Sequence, residues 1–265
     1  MSSTQPGGAA AAPLPFRALL PPPGGADADL PAAYAYPAPL DRPWVRANMV
    51  ASADGGAIGP SGRSRDLSSA SDRRVMGVLR GLCDVVLVGA ATARLEGYGP
   101  VRARPSWERL RAGRPATPAV AVVSRSLDLP PALLAEAPEH ARTLVFTTDR
   151  SPAGRRREVA RHADLVVVRG ASVTPAHVVE GLAERGLYRV LTEGGPVLLA
   201  EFVAAGLLDE LCLTVSPWLL GAGAPRIVTG GPGAPEGPAG AQSTPVRMAH
   251  LLEAEGNLFA RYVRG

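Results

Sequence analysis

In a chain of 265 residues all 28 basic side chains are Arg, which removes Lys Schiff bases and a Lys-dependent phosphate clamp from the available chemistry. The net charge of +4 is carried by scattered arginines and suits anionic small molecules rather than nucleic acid; Arg155–Arg157 is the one run, read as a solvated helix face. A hydrophobic fraction of 46% without 18 consecutive apolar residues gives a sizeable core and no membrane span, while Cys83 and Cys212 sit in apolar stretches as thiols of a reducing, cytoplasmic compartment.

Residues 1–40 are rich in Pro, Ala and Gly, including Pro21, Pro22 and Pro23, and lack the basic leader and apolar run of a secretory signal. They are expected to form an arm that packs only in part on a domain spanning 41–265. From Trp44 onward strand-like runs alternate with helical patterns, which predicts an α/β fold with helices on the sheet faces. The expected strands are Val45–Ser52, Asp84–Gly89, Ala119–Ser124, Thr143–Thr147, Leu165–Val168, Arg189–Leu191 and Glu210–Ser216. A first helix is expected over Ala70–Gly81, with Ser69 as cap and Val75, Val78, Leu79 and Leu82 on its apolar face. A second starts at Pro175 behind the Thr174 cap and ends at Gly186; a third runs from Pro196 to Gly206. A Gly/Pro-rich loop over 230–245 leads to a terminal β-hairpin, Leu251–Ala254 and Asn257–Val263, around Gly256.

Three segments bear chemistry. In Asp84–Pro100 an apolar strand runs into Gly89, Ala90, Ala91 and Thr92, where small residues let the backbone approach a ligand and a helix start attracts phosphate. In Val190–Glu201 a strand ends at Glu193, Gly194 and Gly195, and Pro196, Val197 and Leu198 open a helix. Ligands bind at the carboxyl ends of strands in open α/β sheets, and two such glycine turns suit a dinucleotide pyrophosphate, although no G-x-G-x-x-G fingerprint is present. In Arg46–Gly59 the alternating Asn48, Val50 and Ser52 share one face of a strand, and Asp54-Gly55-Gly56 makes a turn. Asp54 is either a turn cap or a catalytic carboxylate; Asn48, polar in an apolar run, needs a partner, and a ligand can supply it. His140, His162, His177 and His250 have no metal-ligand spacing, and zinc-deaminase, G-x-S-x-G and P-loop signatures are missing.

In order and spacing, R-A-N-M-V-A-S-A-D-G-G-A, V-M-G-V-L-R, V-G-A-A-T-A-R-L-E-G-Y-G-P, T-E-G-G-P-V-L-L and G-L-L-D-E-L-C-L-T-V-S-P-W-L-L-G resemble the pyrimidine reductase family of riboflavin biosynthesis from Arg42 to Tyr262. The L-P-x-x-Y-x-Y-P stretch at Leu30–Pro37 resembles that of stand-alone actinobacterial members. The resemblance implies a dihydrofolate-reductase-like fold, a twisted mixed and mostly parallel sheet with helices on both faces, usually as a homodimer. It implies NADPH held by Val50, Gly89, Thr92, Glu96 and the run from Gly194 and Gly195 through Pro196, Val197 and Leu198, with Ser124, Arg125 and Ser126 near the adenosine end. An Arg fork beside a 2′-phosphate favours NADPH over NADH. Asn48, Ser64, Arg80, Arg102 or Arg104, and Glu193 match substrate-contacting positions, the arginines suiting a 5′-phosphate.

The implied reaction opens the ribosylamino ring of 5-amino-6-(5-phosphoribosylamino)uracil to an imine and delivers hydride to C1′, giving the ribitylamino product. Glu193 then pairs with the pyrimidine or assists proton transfer. Two departures flank the substrate: Glu96-Gly97-Tyr98-Gly99-Pro100 replaces the D-D-P of many members, and Ser64-Arg65-Asp66 lacks an aromatic residue. Asn48 stands where several bacterial fusion enzymes carry Lys. Dihydrofolate reduction on the same fold, and a non-catalytic NADPH-binding protein, are the competing readings.

Overall fold

The apolar run Val85–Gly89 forms a strand whose first four residues are wholly buried, as a strand covered by helices on both faces requires. The computed structural model describes residues 17–20, 27–230 and 243–265; Pro21–Pro23, the rest of the Ala-rich start and most of the expected 230–245 loop lie outside them. The described strands are β1 (Arg17–Leu20), β2 (Trp44–Ser52), β3 (Val85–Gly89), β4 (Ala119–Val123), β5 (Leu144–Thr148), β6 (Asp164–Val168), β7 (Arg189–Thr192), β8 (Glu210–Ser216), β9 (Val246–Ala254) and β10 (Asn257–Arg264). They join in one sheet of order β1-β9-β10-β8-β2-β7-β3-β4-β5-β6. From β8 to β6 every neighbouring pair is parallel, and β8, β10, β9 and β1 pair antiparallel, so the expected mixed, mostly parallel α/β sheet is the observed one.

Helices α1 (Leu30–Ala33), α2 (Ala70–Leu82), α3 (Ala90–Glu96), α4 (Pro131–Ala135), α5 (Ala153–Ala160), α6 (Pro175–Ala183) and α7 (Pro196–Ala204) connect and cover the strands. Val86 and Val88 pack with Val75 and Leu79 of α2, Leu133 of α4 and Val159 of α5. Val85 and Leu87 point the other way, onto Val178 and Leu182 of α6 and Leu198 and Phe202 of α7. Ser69 caps α2 by accepting from the Asp72 amide at 3.1 Å. Its last carbonyls are capped from a distance, with Arg114 donating to Leu82 O at 2.7 Å and Arg111 to Cys83 O at 2.6 Å.

Helices α6 and α7 stop at Ala183 and Ala204, short of the expected ends, and Gly186 and Gly206 lie in the turns that follow. Strand β9 begins at Val246 rather than Leu251; Val246, Arg247, Met248 and Ala249 show no sustained alternation of apolar and polar residues, so periodicity did not mark it. Part of the stretch before residue 41 enters the core: Leu30 is 2% exposed and Tyr34 1%. This segment is tied to the sheet by Arg46, which donates to Tyr34 O at 2.7 Å and lies 4.0 Å from the Tyr36 ring centroid. The Arg46 guanidinium meets Glu210 deep inside, Nε lying 2.6 Å from Oε1 as an ionic contact and Nη2 donating to Oε2 at 3.1 Å. Arg261 adds a bond to Glu210 Oε1 at 2.8 Å. Burial works against the Glu210 carboxylate, but the two guanidinium charges outweigh it and hold its pKa below the ordinary value.

Candidate active site

The carboxyl ends of β2, β7 and β3 stand side by side, and between them and α2 opens a cavity of about 350 Å³. Asn48 and Val50 come from β2, Arg80 from α2, Thr92 and Glu96 from α3, and Glu193, Gly195 and Pro196 from the turn after β7. Asn48 makes no hydrogen bond through its side chain among the described residues, and its amide lies at the cavity wall.

Glu193 follows the last residue of β7, which sets its carboxylate on the cavity floor with 5% of the side chain exposed. Arg80 meets it edge to edge, Nε donating to Oε1 and Nη2 to Oε2, both at 2.6 Å. The Tyr98 hydroxyl donates to Oε2 at 2.6 Å. Burial pushes the Glu193 pKa up, but the Arg80 charge and the bonds from Arg80 and Tyr98 prevail and hold it below the usual carboxylate range. For Arg80 the Glu193 charge is the leading influence and keeps the guanidinium protonated. The site therefore presents a fixed anion held by a fixed cation.

Beside it the backbones of two adjacent strand ends come close. The Gly89 amide donates to Gly194 O at 2.9 Å, and Gly194 holds φ +96°, a region that disfavours any side chain. A Cβ on Gly195 would stand 2.3 Å from Thr92 Oγ1, so only glycine fits. Pro196 opens α7 without an amide hydrogen, leaving the amides of Val197 and Leu198 at the helix start. Leu198 itself is buried in the core, so its side chain is packing and only its backbone reaches the turn.

Not every expected residue meets at this cavity. The sequence left Asp54 open between a turn cap and a catalytic role; in the structure it is not part of the cavity lining and both its oxygens are committed. Oδ1 accepts from Ser52 Oγ at 2.5 Å, and Oδ2 accepts from the amides of Leu220 and Gly221 at 2.9 and 2.7 Å. The Ser52 bond first, then those two amides, lower its pKa to about 2; it is a turn cap that pins the loop after β8. Arg102 and Arg104 line a neighbouring cavity of about 610 Å³, which shares Arg80 with the first. Ser124, Arg125 and Ser126 lie past the end of β4, outside the cavity lining, with Ser124 Oγ accepting from the Leu127 amide at 3.0 Å. Ser64 and Glu96, expected to serve different ligands, touch each other: the Ser64 amide and hydroxyl donate to Glu96 Oε1 at 3.0 and 2.9 Å.

Sequence reasoning missed two residues here. Tyr98 was noted only as a departure from a familiar pattern, and nothing local announces its contact with a residue 95 positions away. Asp72, in the first turn of α2, carries no sequence signal for the site, yet its buried side chain lines the cavity and accepts from Ser68 Oγ at 2.5 Å and Thr214 Oγ1 at 2.7 Å. Among the described residues no group of His, Cys, Asp and Glu is placed to hold a metal ion, and no helix is long and apolar enough to cross a membrane.

A mixed α/β sheet with a cavity at the carboxyl ends of its central strands is a fold that a pyrimidine reductase-like protein from Corynebacterium diphtheriae shares at a TM-score of 0.73, with 24% identity over 84% of this chain and 92% of that one. The family of the RibD C-terminal domain matches residues 43–252, and the chain belongs to that family. A 2,5-diamino-6-ribosylamino-4(3H)-pyrimidinone 5′-phosphate reductase of Archaeoglobus fulgidus is 28% identical over 68% of this chain and 83% of its own length. The riboflavin biosynthesis protein RibD of Synechocystis is 28% identical over 71% of this chain, which spans about half (49%) of that longer protein.

Proposed function

We propose that this chain is an NADPH-dependent reductase of a phosphoribosylaminopyrimidine in riboflavin biosynthesis. The observation that carries the reading is the ionised Glu193 carboxylate, fixed on the cavity floor by Arg80 beside the unengaged amide of Asn48. A pyrimidinone ring offers N–H donors to such a carboxylate and both donors and acceptors to such an amide. Because Glu193 is held as an anion, its part is to accept hydrogen bonds and orient the ring rather than to donate a proton. Glu193 occupies the Nε–Nη2 edge of Arg80 and leaves Nη1 for the substrate phosphate, with Arg102 and Arg104 in the adjoining cavity.

The residues present fit the cofactor. Bare backbone at Gly89, Gly194 and Gly195, with no space for a Cβ at Gly195, makes a cradle for a pyrophosphate at the start of α7. Thr92, Val50 and Glu96 flank that cradle, and Arg125 with Ser124 and Ser126 would hold the adenosine end. When bound, NADPH supplies the hydride for C1′ of the opened ribosylamine. The same reading takes the enzyme as a cytoplasmic homodimer, the free buried thiols of Cys83 and Cys212 suiting a reducing compartment.

The archaeal relative's name specifies a substrate with an amino group at C2, whereas the deaminated uracil form is the one inferred from the sequence. The test is a steady-state NADPH oxidation assay of the purified chain with the diaminopyrimidinone phosphate, the aminouracil phosphate and dihydrofolate. Turnover with either pyrimidine is the expected result and names the substrate. Turnover with dihydrofolate alone would overturn the pyrimidine assignment.

A further inference from the structure

Helix α3 ends at Gly97, which takes the left-handed conformation at φ +71°, and the Tyr98 amide then donates back to Ala93 O at 2.8 Å. This cap turns the chain inward at once. The Tyr98 ring packs against the core, its hydroxyl lands 2.6 Å from Glu193 Oε2, and the Arg80 guanidinium lies 5.8 Å from its ring centroid. Three donors thus meet one carboxylate, two of them from a side chain that also borders a second, basic cavity. Arg80 is therefore shared: any anion entering that second cavity competes with Glu193 for the same guanidinium. Tyr98 lines only the cavity that holds Glu193 and has no part in the second one.

We propose that Tyr98 is a positioning residue for Glu193: its hydroxyl holds the carboxylate in one orientation independently of Arg80, so that Arg80 can turn part of its charge to the substrate phosphate without releasing Glu193. A hydroxyl suits this role because it carries no charge to compete for the anion in the second cavity. Burial and the neighbouring Glu193 charge push the Tyr98 pKa up, so it remains a donor wherever the enzyme folds. The charged or titratable groups around Glu193 are Arg80 from α2, Cys83 just after it and Tyr98 from the turn after α3, with Arg65, Asp72, Arg73 and Glu96 elsewhere on the cavity wall. Of these, Tyr98 and Arg80 alone hydrogen-bond the carboxylate among the described residues.

The test compares wild type with Tyr98→Phe, which keeps the ring and its packing and removes only the hydroxyl. The kinetic arm rests on the pyrimidine reductase reading; the spectroscopic arm does not. In the first arm, Glu side-chain carbonyls are ¹³C-labelled, the Glu193 signal is assigned with Glu193→Gln, and the full chain is titrated without substrate. The Glu193 midpoint is expected to rise in Tyr98→Phe, and added inorganic phosphate is expected to raise it further there than it does in the wild type. In the second arm, the acid limb of kcat/KM for the phosphorylated pyrimidine is expected to move up by about one pH unit in Tyr98→Phe, with the KM for NADPH unchanged. Identical Glu193 titrations in the two proteins, with and without phosphate, would overturn the proposal. Loss of turnover in the wild type would count against the reductase reading and leave the spectroscopic arm to decide the role of Tyr98.

Discussion

The guanidinium of Arg80 and the carboxylate of Glu193 form a two-bond pair at 2.6 Å and 2.6 Å, joining the last turn of α2 to the end of β7 within the cavity. The residues proposed separately for phosphate and pyrimidine are therefore one unit, and substitutions at either should disturb both. In Glu193→Gln the amide keeps the size and loses the charge, leaving Arg80 without its counterion. We expect kcat/KM for the pyrimidine to fall tenfold or more, about 1.4 kcal/mol of transition-state stabilisation, with NADPH affinity intact. Arg80→Ala should lower kcat and raise KM together, whereas Arg104→Ala, which leaves Glu193 untouched, should raise KM alone. Equal kinetic signatures for the two Arg variants would show that Arg80 acts only on the phosphate.

The contact between Gly195 and Thr92 gives a steric prediction. Gly195 has φ −73°, so Ala is allowed there by its backbone and is excluded only by Thr92 Oγ1. Gly195→Ala should cost about 1–3 kcal/mol of stability and weaken NADPH binding. The double variant with Thr92→Ala should recover most of the stability in thermal unfolding. Failure of that recovery would mean that the turn is constrained by something other than Thr92.

Cofactor choice is tested at Arg125. Arg125 is exposed past the end of β4, and its charge opposes the rise that burial imposes on the Glu201 pKa. If it meets the extra phosphate, NADPH should bind at least about tenfold more tightly than NADH, roughly 1.4 kcal/mol, and Arg125→Ala should remove the difference. Titration of both nucleotides against wild type and variant measures this directly; equal affinities in the wild type would sink the assignment.

A pH dependence follows from His250, whose ring stands edge-on to Tyr34 at 4.8 Å and whose Nε2 is buried without a partner. Burial first, then the charges of Arg261 and Arg46 against that of Glu210, lowers its pKa from 6.5 to about 4. The unfolded imidazole therefore binds a proton that the folded one resists. The folded state loses no stability from this group above about pH 6.5, and loses progressively more as pH falls toward about 4, up to about 3 kcal/mol. His250→Phe keeps an edge-on ring and cannot protonate, so its unfolding temperature should fall less than that of wild type between pH 7 and pH 4.5. Parallel curves for the two proteins would contradict the buried, neutral state of His250.

The strands and main helices were legible because their signals are local: the apolar run of β3, the Ser69 and Thr174 caps, and the glycines after β3 and β7 each speak within a few residues. Those glycines and Glu193 also marked the place of the site, since ligand cavities open where parallel strands end. Weak local signal explains what was missed: β1 is four residues long, and Val246–Ala249 at the start of β9 has no sustained alternation of apolar and polar residues. The chemistry inside the cavity was decided by tertiary structure alone. Arg80 and Glu193 are 113 residues apart, Tyr98 and Glu193 95, and Arg46 and Glu210 164, and no periodicity couples positions that distant. Asp54 shows the same point in reverse, because only the folded chain brings the Leu220 and Gly221 amides to its carboxylate and turns a possible catalytic group into a cap. Residue types set which charges exist; the packing of α2 and α3 against the end of β7 sets which of them meet, and hence that Glu193 is an anion with its orientation fixed.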